Sequence, residues 1–288
     1  MRNTMILPRD SKSDRCRTHG DCDLTDPSRL PDWPFFSVVT ASLNNARSIA
    51  TALESVKNQT FGGVEHLVID GGSTDETLEI LKRYETHYRL RWISEPDQGL
   101  ADAMNKGVHA ARGRYVIFIH ADDALIEPGI LEWIYKQLET PKYDICCFPI
   151  LFKDPDGSIR HASPIRVRGW HRFRNTIRHQ GCFVHLSLHE QIGYFNTTYS
   201  ICMDYDFFYR ALQAGASIRY FDRPAAVMGG EGASSNPLLL LKRLKEEQVI
   251  QELNEKNPFW RAAQRVFRRL YVPYKTRRFG RQLKRRQA

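Results

Sequence analysis

Two adjacent carboxylates stand where an apolar run ends, in His120-Ala121-Asp122-Asp123 after Tyr115-Val116-Ile117-Phe118-Ile119. Negative charge paired at the mouth of a buried strand is costly unless something positive sits there. A hard divalent cation holding a diphosphate would supply it, Mg2+ or Mn2+ by the oxygen donors available. The plainer reading is a helix N-cap, because Asp before a turn is common. Asp70-Gly71-Gly72-Ser73-Thr74-Asp75 divides in the same way. As turn chemistry it starts a helix, with the S-x-x-E spacing of a capping box from Ser73 to Glu76. As a site, Asp70 takes a hydrogen bond from an N–H of a base, and the glycines allow close approach.

Ser94-Glu95-Pro96-Asp97-Gln98-Gly99 leads into Ala101-Asp102-Ala103-Met104-Asn105-Lys106-Gly107. Asp102 and Lys106 fall four apart on one helical face with Asn105 beside them, which in isolation is a surface ion pair of a few tenths of a kcal/mol. Asp204, in Cys202-Met203-Asp204-Tyr205-Asp206, opens another helix. It is either an acid favoured by the helix dipole or a general base beside a site.

These groups need elements to hold them. Phe35–Thr40, His66–Ile69, Leu90–Ile93 and Tyr115–Ile119 read as short buried strands. Helices over 46–58, after Asp75 (stripe Leu78, Leu81, Tyr84) and over 100–111 alternate with them. Strand–helix alternation implies a mostly parallel sheet covered on both faces, and ligands bind beyond the carboxyl ends of its strands. Thr40, Asp70, Glu95–Gly99 and His120–Asp123 fall at that edge. Further on, Pro128 opens a helix carrying Ile130, Leu131, Ile134 and Leu138. Asp144–Phe152 reads as one strand, placed at an edge by Pro149. His171–His185 is loop and strand, Tyr205–Ala214 a helix ended by Gly215, and Leu238–Leu253 an amphipathic helix.

The 288 residues are 42% hydrophobic and 26% charged, an ordinary globular balance with room for a sizeable core. No run is apolar enough to span a membrane, and the start lacks a secretory pattern, so a cytoplasmic location is expected. Residues 1–33 read as a flexible polar leader, 34–257 as the folded domain (halves 34–125 and 126–257) and 258–288 as a basic amphipathic tail. Six cysteines, with Cys16 and Cys22 in the leader, show no zinc spacing, and a disulfide framework is not expected. The net charge is +9, yet 11 Lys and Arg and no acid lie from Arg261 onward, which leaves residues 1–260 at −2. Phe259, Trp260, Phe267, Leu270, Tyr271, Val272, Tyr274 and Phe279 interleave with those charges, a mixture suited to an anionic membrane interface. A solvated basic tail is the plainer alternative. The body carries no nucleic-acid motif, so no specific nucleic-acid partner is expected.

Taken in order and spacing, Val38-Val39-Thr40, Val68 to Asp75, Ser94 to Gly99, Asp102 to Gly107 and Ala121-Asp122-Asp123 resemble family 2 inverting glycosyltransferases of the GT-A fold. His179-Gln180, Asp204-Tyr205, Met228-Gly229-Gly230 and Ser234-Ser235 bring the resemblance closer to colanic-acid-type exopolysaccharide transferases, over about residues 35–255. The resemblance implies a nucleotide-sugar donor, a saccharide or lipid-linked acceptor and Mn2+ or Mg2+. It places Thr40, Asp70, Asp97, Gly99, Asp102, Asn105, Lys106 and Ala121 at the donor, Asp122 (with Asp123) at the metal, His179 and Gln180 at the acceptor or diphosphate, and Asp204 as the base. His120 stands where the D-x-D motif begins with Asp, and Ala101 where relatives often have Tyr. A nucleotidyltransferase would want glycines after the first strand, and Thr40-Ala41-Ser42-Leu43-Asn44-Asn45 has none. The remaining alternative is a nucleotide-sugar- or nucleic-acid-binding protein without transfer activity.

Overall fold

A computed structural model describes residues 34–153, 157–166, 169–229 and 237–287. The leader with Cys16 and Cys22, and Gly230, Ser234 and Ser235, lie outside the described residues. The expected α/β architecture is present. Strands β1 (Phe36–Ser42), β2 (Val64–Asp70), β3 (Leu90–Ser94) and β4 (Tyr115–Phe118) alternate with helices α1 (Ile49–Lys57), α2 (Thr77–Tyr84) and α3 (Leu100–Ala110). The chain continues through β5 (Ala124–Leu125), α4 (Ile130–Leu138), β6 (Ile145–Cys147), β7 (Ile150–Lys153), β8 (Ile159–Ala162), β9 (Cys182–His185), α5 (Leu186–Ile192), α6 (Met203–Gln213), β10 (Ile218–Tyr220), β11 (Ala226–Met228), α7 (Leu240–Asn254) and α8 (Pro258–Gln287).

Among the described residues the main sheet runs β10-β6-β9-β4-β1-β2-β3, and a smaller one runs β5-β11-β7-β8. Within the main sheet β9 is antiparallel to β4 and β6, while the other pairings are parallel. The strands read as near-continuous apolar runs because both faces are covered. Val38, Ile117, Ile119 and Phe183 pack toward α1 and α4, while Val39, Val116, Phe118 and Val184 pack toward α3, α5 and α6. Each such fully buried side chain contributes about 1.5–3 kcal/mol. Both expected halves contribute to this one sheet, since β6, β9 and β10 extend it beyond β4.

Three local expectations change. The span 144–152 is two strands in different sheets, because Pro149 has no N–H for a ladder and the chain crosses over there. The capping box does not form: α2 starts at Thr77, the Ser73 hydroxyl donates to Asp70, and Asp75 takes the Thr77 N–H at 3.0 Å. Thr77 and Ile80 join Leu81 as its buried residues, with Leu78 and Tyr84 only partly covered. By contrast α4 buries Ile130, Leu131, Ile134 and Leu138 as expected, and Gly215 follows α6 with φ +83°.

Candidate active site

The parallel strands end together. Ser42, Asp70 and Ser94 are in register across β1, β2 and β3, and Val39 pairs with Phe118 of β4, so one rim collects the loops after all four strands. On this rim two groups of side chains form.

The first group lies beyond β2 and β3. Asp70 is fully buried, and its carboxylate accepts the N–H groups of Gly72 (3.1 Å) and Ser73 (2.8 Å) and the hydroxyls of Ser73 and Ser94. These bonds build the turn. Asp97 comes from the next loop to cover that turn: a Cβ on Gly71 would lie 2.5 Å from Asp97 Oδ2. Asp97 also accepts the Gly99 N–H at 2.8 Å, and Gly99 opens α3 with φ +108°, a conformation that favours glycine. Lys106 reaches back to Glu95 (2.9 Å), Asp102 (3.5 Å) and the Pro96 carbonyl (3.0 Å). Burial opposes its charge, but the two carboxylates outweigh that and raise its pKa above the ordinary lysine value.

Two residues expected at the donor, Thr40 and Asn105, make hydrogen bonds within the fold. Thr40 lies inside β1 rather than after it, fully buried, donating to the Ile119 carbonyl and accepting from His66 Nε2 at 2.9 Å. His66 Nδ1 accepts from Tyr88 Oη at 2.7 Å, which fixes the tautomer. Burial pushes the His66 pKa down to about 3, so the ring is neutral. The strand runs two residues further than expected because Ala41 and Ser42 keep pairing with Ile69 and Asp70. The rim position falls instead to Leu43 and Asn44, the latter with φ 53° and its side-chain oxygen taking the Thr74 N–H at 2.8 Å. Asn105 exchanges both hydrogen bonds with the backbone of Phe195 (2.8 and 2.9 Å) and ties α3 to the segment before α6. Ala101 is buried in the α3 face of the core.

The second group gathers at the end of β4. Ala121 is buried and Asp122 exposed. A Cβ on Gly229 would lie 2.4 Å from Asp122 Oδ2, so this glycine leaves the carboxylate its space. Asp123 turns inward and accepts from Gly229 N (3.1 Å) and His120 N (3.3 Å). Burial, then the charge of Asp122, pushes its pKa up to about 7. The His120 ring meets the His179 ring at 5.0 Å between centroids, and burial keeps His120 neutral, with a pKa of about 3. Both ring nitrogens of His120 and Nε2 of His179 are shielded from solvent and without a hydrogen-bond partner. His179 Nδ1 lies 3.5 Å from Asp204 Oδ2. His179 and the buried Gln180 lie in a 3-10 turn, 179–181, that leads into β9.

Asp204 occupies the first turn of α6. Its Oδ1 accepts the Tyr205 N–H at 2.7 Å and its Oδ2 accepts from Asn175 Nδ2 at 3.0 Å. Asn175 Oδ1 takes the Ile177 N–H at 3.1 Å, which commits the oxygen and leaves the amide nitrogen for Asp204. Asn175 and Asn44 are site residues that sequence reasoning missed. Each sits in a loop, and the one available signal was that Asn favours such turns and left-handed backbone.

The residues at β4 suit a divalent cation in part. Asp122 offers an exposed carboxylate and His120 a neutral imidazole with unsatisfied nitrogens. Among the described residues no three metal-ligating side chains cluster, so an ion there would need further oxygens from a bound phosphate.

Residues 37–188 match the family described as Glycosyl transferase family 2. A Mycobacterium bovis protein named "PGL/p-HBAD biosynthesis glycosyltransferase" is 32% identical over 219 residues, 73% of this chain and 84% of the relative. The "Putative glycosyltransferase EpsH" of Bacillus subtilis is 34% identical over 125 residues, 43% of this chain and 36% of that protein. The colanic-acid side of the expected resemblance is thus the minor part. In fold, the chain is similar to S. aureus TarS 1–349 in complex with UDP-GlcNAc (TM-score 0.59, 20% identity, 77% of this chain and 67% of that one). It spans 40% of the longer TarS chain. A mannosyltransferase from Pyrobaculum calidifontis, in complex with GDP-Man and Mn2+, has TM-score 0.59 at 17% identity, covering 84% of this chain and 70% of that one.

Proposed function

Because the chain belongs to glycosyl transferase family 2, we propose that it moves a sugar from a nucleotide-sugar, a UDP-sugar in the first instance, to a hydroxyl of a saccharide or lipid-linked saccharide. The setting is cell-surface polysaccharide biosynthesis, and the reaction inverts the anomeric carbon. One observation carries the reading: a carboxylate oriented from two sides, Asp204, stands 3.5 Å from His179, which packs on the histidine of the D-x-D position. A base and a diphosphate-binding place are therefore neighbours on the rim where GT-A ligands bind.

In this mechanism Asp204 accepts the proton of the acceptor hydroxyl. The acceptor oxygen bonds to the anomeric carbon as the bond from that carbon to the diphosphate oxygen breaks. Asn175 and the Tyr205 N–H keep the carboxylate aimed. Lys106, released from Glu95 and Asp102, meets the diphosphate, while Asp97, Gly99 and the turn built by Asp70 line the donor side. Ala121 lies against the sugar-phosphate, and His179 and Gln180 border the acceptor. Asp122, with His120, would hold Mn2+ or Mg2+, which when bound supplies Lewis-acid stabilisation of the leaving diphosphate. The tail, 258–288, makes peripheral contact with the anionic inner face of the plasma membrane, where a lipid-linked acceptor is presented. No helix among the described residues is long and apolar enough to cross a membrane.

The test is Asp204→Asn. Turnover with the best donor from a UDP-, GDP- and dTDP-sugar screen should fall at least about a hundredfold, with donor binding by thermal shift near normal. Wild-type turnover in that variant would remove Asp204 from its role. Donor binding with no transfer by the unaltered protein would leave only the binding-protein alternative.

A further inference from the structure

Helix α8 has two apolar faces, and the fold uses one of them. Trp260, Phe267 and Tyr271 turn inward: Phe267 meets Trp170 (5.9 Å) and Phe173 (5.2 Å), Trp260 meets Phe173 (6.0 Å), and Tyr271 stacks on Phe267 (4.9 Å). Gln264 and Arg268 fix the same face, Gln264 donating to the Arg172 carbonyl at 2.9 Å and Arg268 to Gln251 at 3.2 Å. A second face leaves Phe259, Val266, Leu270 and Tyr274 between 54% and 73% exposed. Their spacing of seven, four and four residues makes one straight stripe of about 22 Å.

Arg261, Arg265 and Arg269 follow one another at four-residue steps on a neighbouring face, roughly a third of a turn round the helix from that stripe, all exposed. Arg261 and Arg265 also line a cleft of about 240 Å³ between α7 and α8, together with Arg268 and Glu252. Glu252 takes its hydrogen bond from Gln248 at 2.8 Å, and among the described residues neither Arg261 nor Arg265 has a carboxylate partner. From Lys256 to the end the sequence has no Asp or Glu.

We propose that the outward face of α8 lies in the plane of an anionic lipid surface, with Phe259, Val266, Leu270 and Tyr274 among the acyl chains and Arg261, Arg265 and Arg269 on lipid phosphates. This deepens the membrane reading above and does not depend on the transfer chemistry. Charge complementarity selects the occupant. A second copy would set like-charged arginine rows against each other. Nucleic acid would satisfy the arginines but leave the apolar stripe in water, whereas a lipid interface takes both. The aromatic residues inferred from the sequence divide accordingly. Phe267 and Tyr271 hold the helix to the domain, whereas Phe259 and Tyr274 are free to insert, and the Phe279 side chain lies outside the described residues.

The experiment is co-sedimentation of the full chain with vesicles of phosphatidylcholine alone, or mixed with phosphatidylglycerol, at low and high salt. The unaltered protein should bind only the mixed vesicles. Val266→Ser with Leu270→Ser should weaken that binding at least about tenfold with no change in thermal unfolding midpoint, because neither side chain packs inside. Arg261→Gln with Arg265→Gln should weaken it at low salt, and less so at high salt, where these charges are already screened. Lys242→Gln with Lys245→Gln on α7, the same change of net charge elsewhere, should not. Wild-type binding by the Val266/Leu270 variant would show that this face is not the contact. An equal loss in the α7 control would reduce the interaction to net charge, and tighter binding to duplex DNA than to the mixed vesicles would replace lipid by nucleic acid. No binding by the unaltered protein to either vesicle would overturn the membrane reading itself, leaving the transferase reading to the Asp204 test.

Discussion

Asp204, the proposed base, differs little from the structural carboxylates around it. Two other acids of the rim, Asp70 and Asp123, are buried and accept backbone N–H groups, so they shape loops. Asp204 is held by Asn175 and by the Tyr205 N–H, with its oxygens still near His179. Asn175 touches no reacting atom in this scheme. It positions the base, and its removal should lower kcat by about 10- to 100-fold with the donor KM nearly unchanged. Asn175→Asp should instead put a like charge beside Asp204 and move the acid limb of the kcat profile to higher pH. Steady-state kinetics across pH distinguish this from a folding defect. An Asn175→Ala enzyme with unchanged kcat would show that Asp204 needs no such support. Nothing in Asn175-Thr176-Ile177 as a sequence points to this role. The contact spans 29 residues and depends on where the 169–181 segment crosses α6.

At the scale of elements, the strands were legible and the loops were not. Apolar runs and helical stripes repeat within a few residues, so β1 to β4, α3 and α4 could be read from periodicity. The split of 144–152 turns on Pro149, and the antiparallel insertion of β9 on pairing with β4 and β6, both set by distant chain. Gly181 tests that junction. It connects the His179-Gln180 turn to β9, and a Cβ there would meet the Phe148 carbonyl at 2.4 Å. The Phe148 backbone cannot swing aside as the end of a side chain could, and the Ile150 Cγ2 methyl lies 2.9 Å away on its own account. Gly181→Ala should cost about 1–3 kcal/mol and displace the His179 turn, lowering turnover beyond the loss of stability. Chemical denaturation and kinetics on the same preparation measure both. A variant as stable and as active as the unaltered protein would mean the β6–β9 junction yields freely. Thr40 makes a similar point. A hydroxyl near a strand end looked available from sequence, yet the sheet uses it to join β1, β2 and β4 through His66 and Ile119.

For the whole molecule, burial of neutral histidines makes the fold sensitive to acid. His66 and His189 are both fully buried, with pKa values depressed by burial to about 3 from 6.5. Their stabilising contribution is complete above about pH 6.5, where the unfolded chain is also neutral, and declines as pH falls toward 3 because only the unfolded rings take up protons. Each should remove about 1.4 kcal/mol per pH unit across that window. Urea midpoints should therefore drop between about pH 7.5 and about pH 5.5, and less in a His189→Phe variant, whose ring keeps the stacking on Phe207. An equal drop in the variant would assign the acid sensitivity to other groups.

The sequence by itself determined the layered α/β plan, the rim at which its polar loops gather, the family motifs and the unneutralised charge after Arg261. These are written in composition and in periods of two to four residues, which local sterics and burial enforce. Only the tertiary structure decided which polar groups stay available. Thr40, Asp70, Asn105 and Asp123 satisfy hydrogen bonds inside the protein, while Asp122 and Asp204 remain at the rim. It likewise decided which face of α8 packs and which meets solvent. A buried donor or acceptor must find a partner, and those partners come from segments tens of residues away, so no local pattern could reveal them.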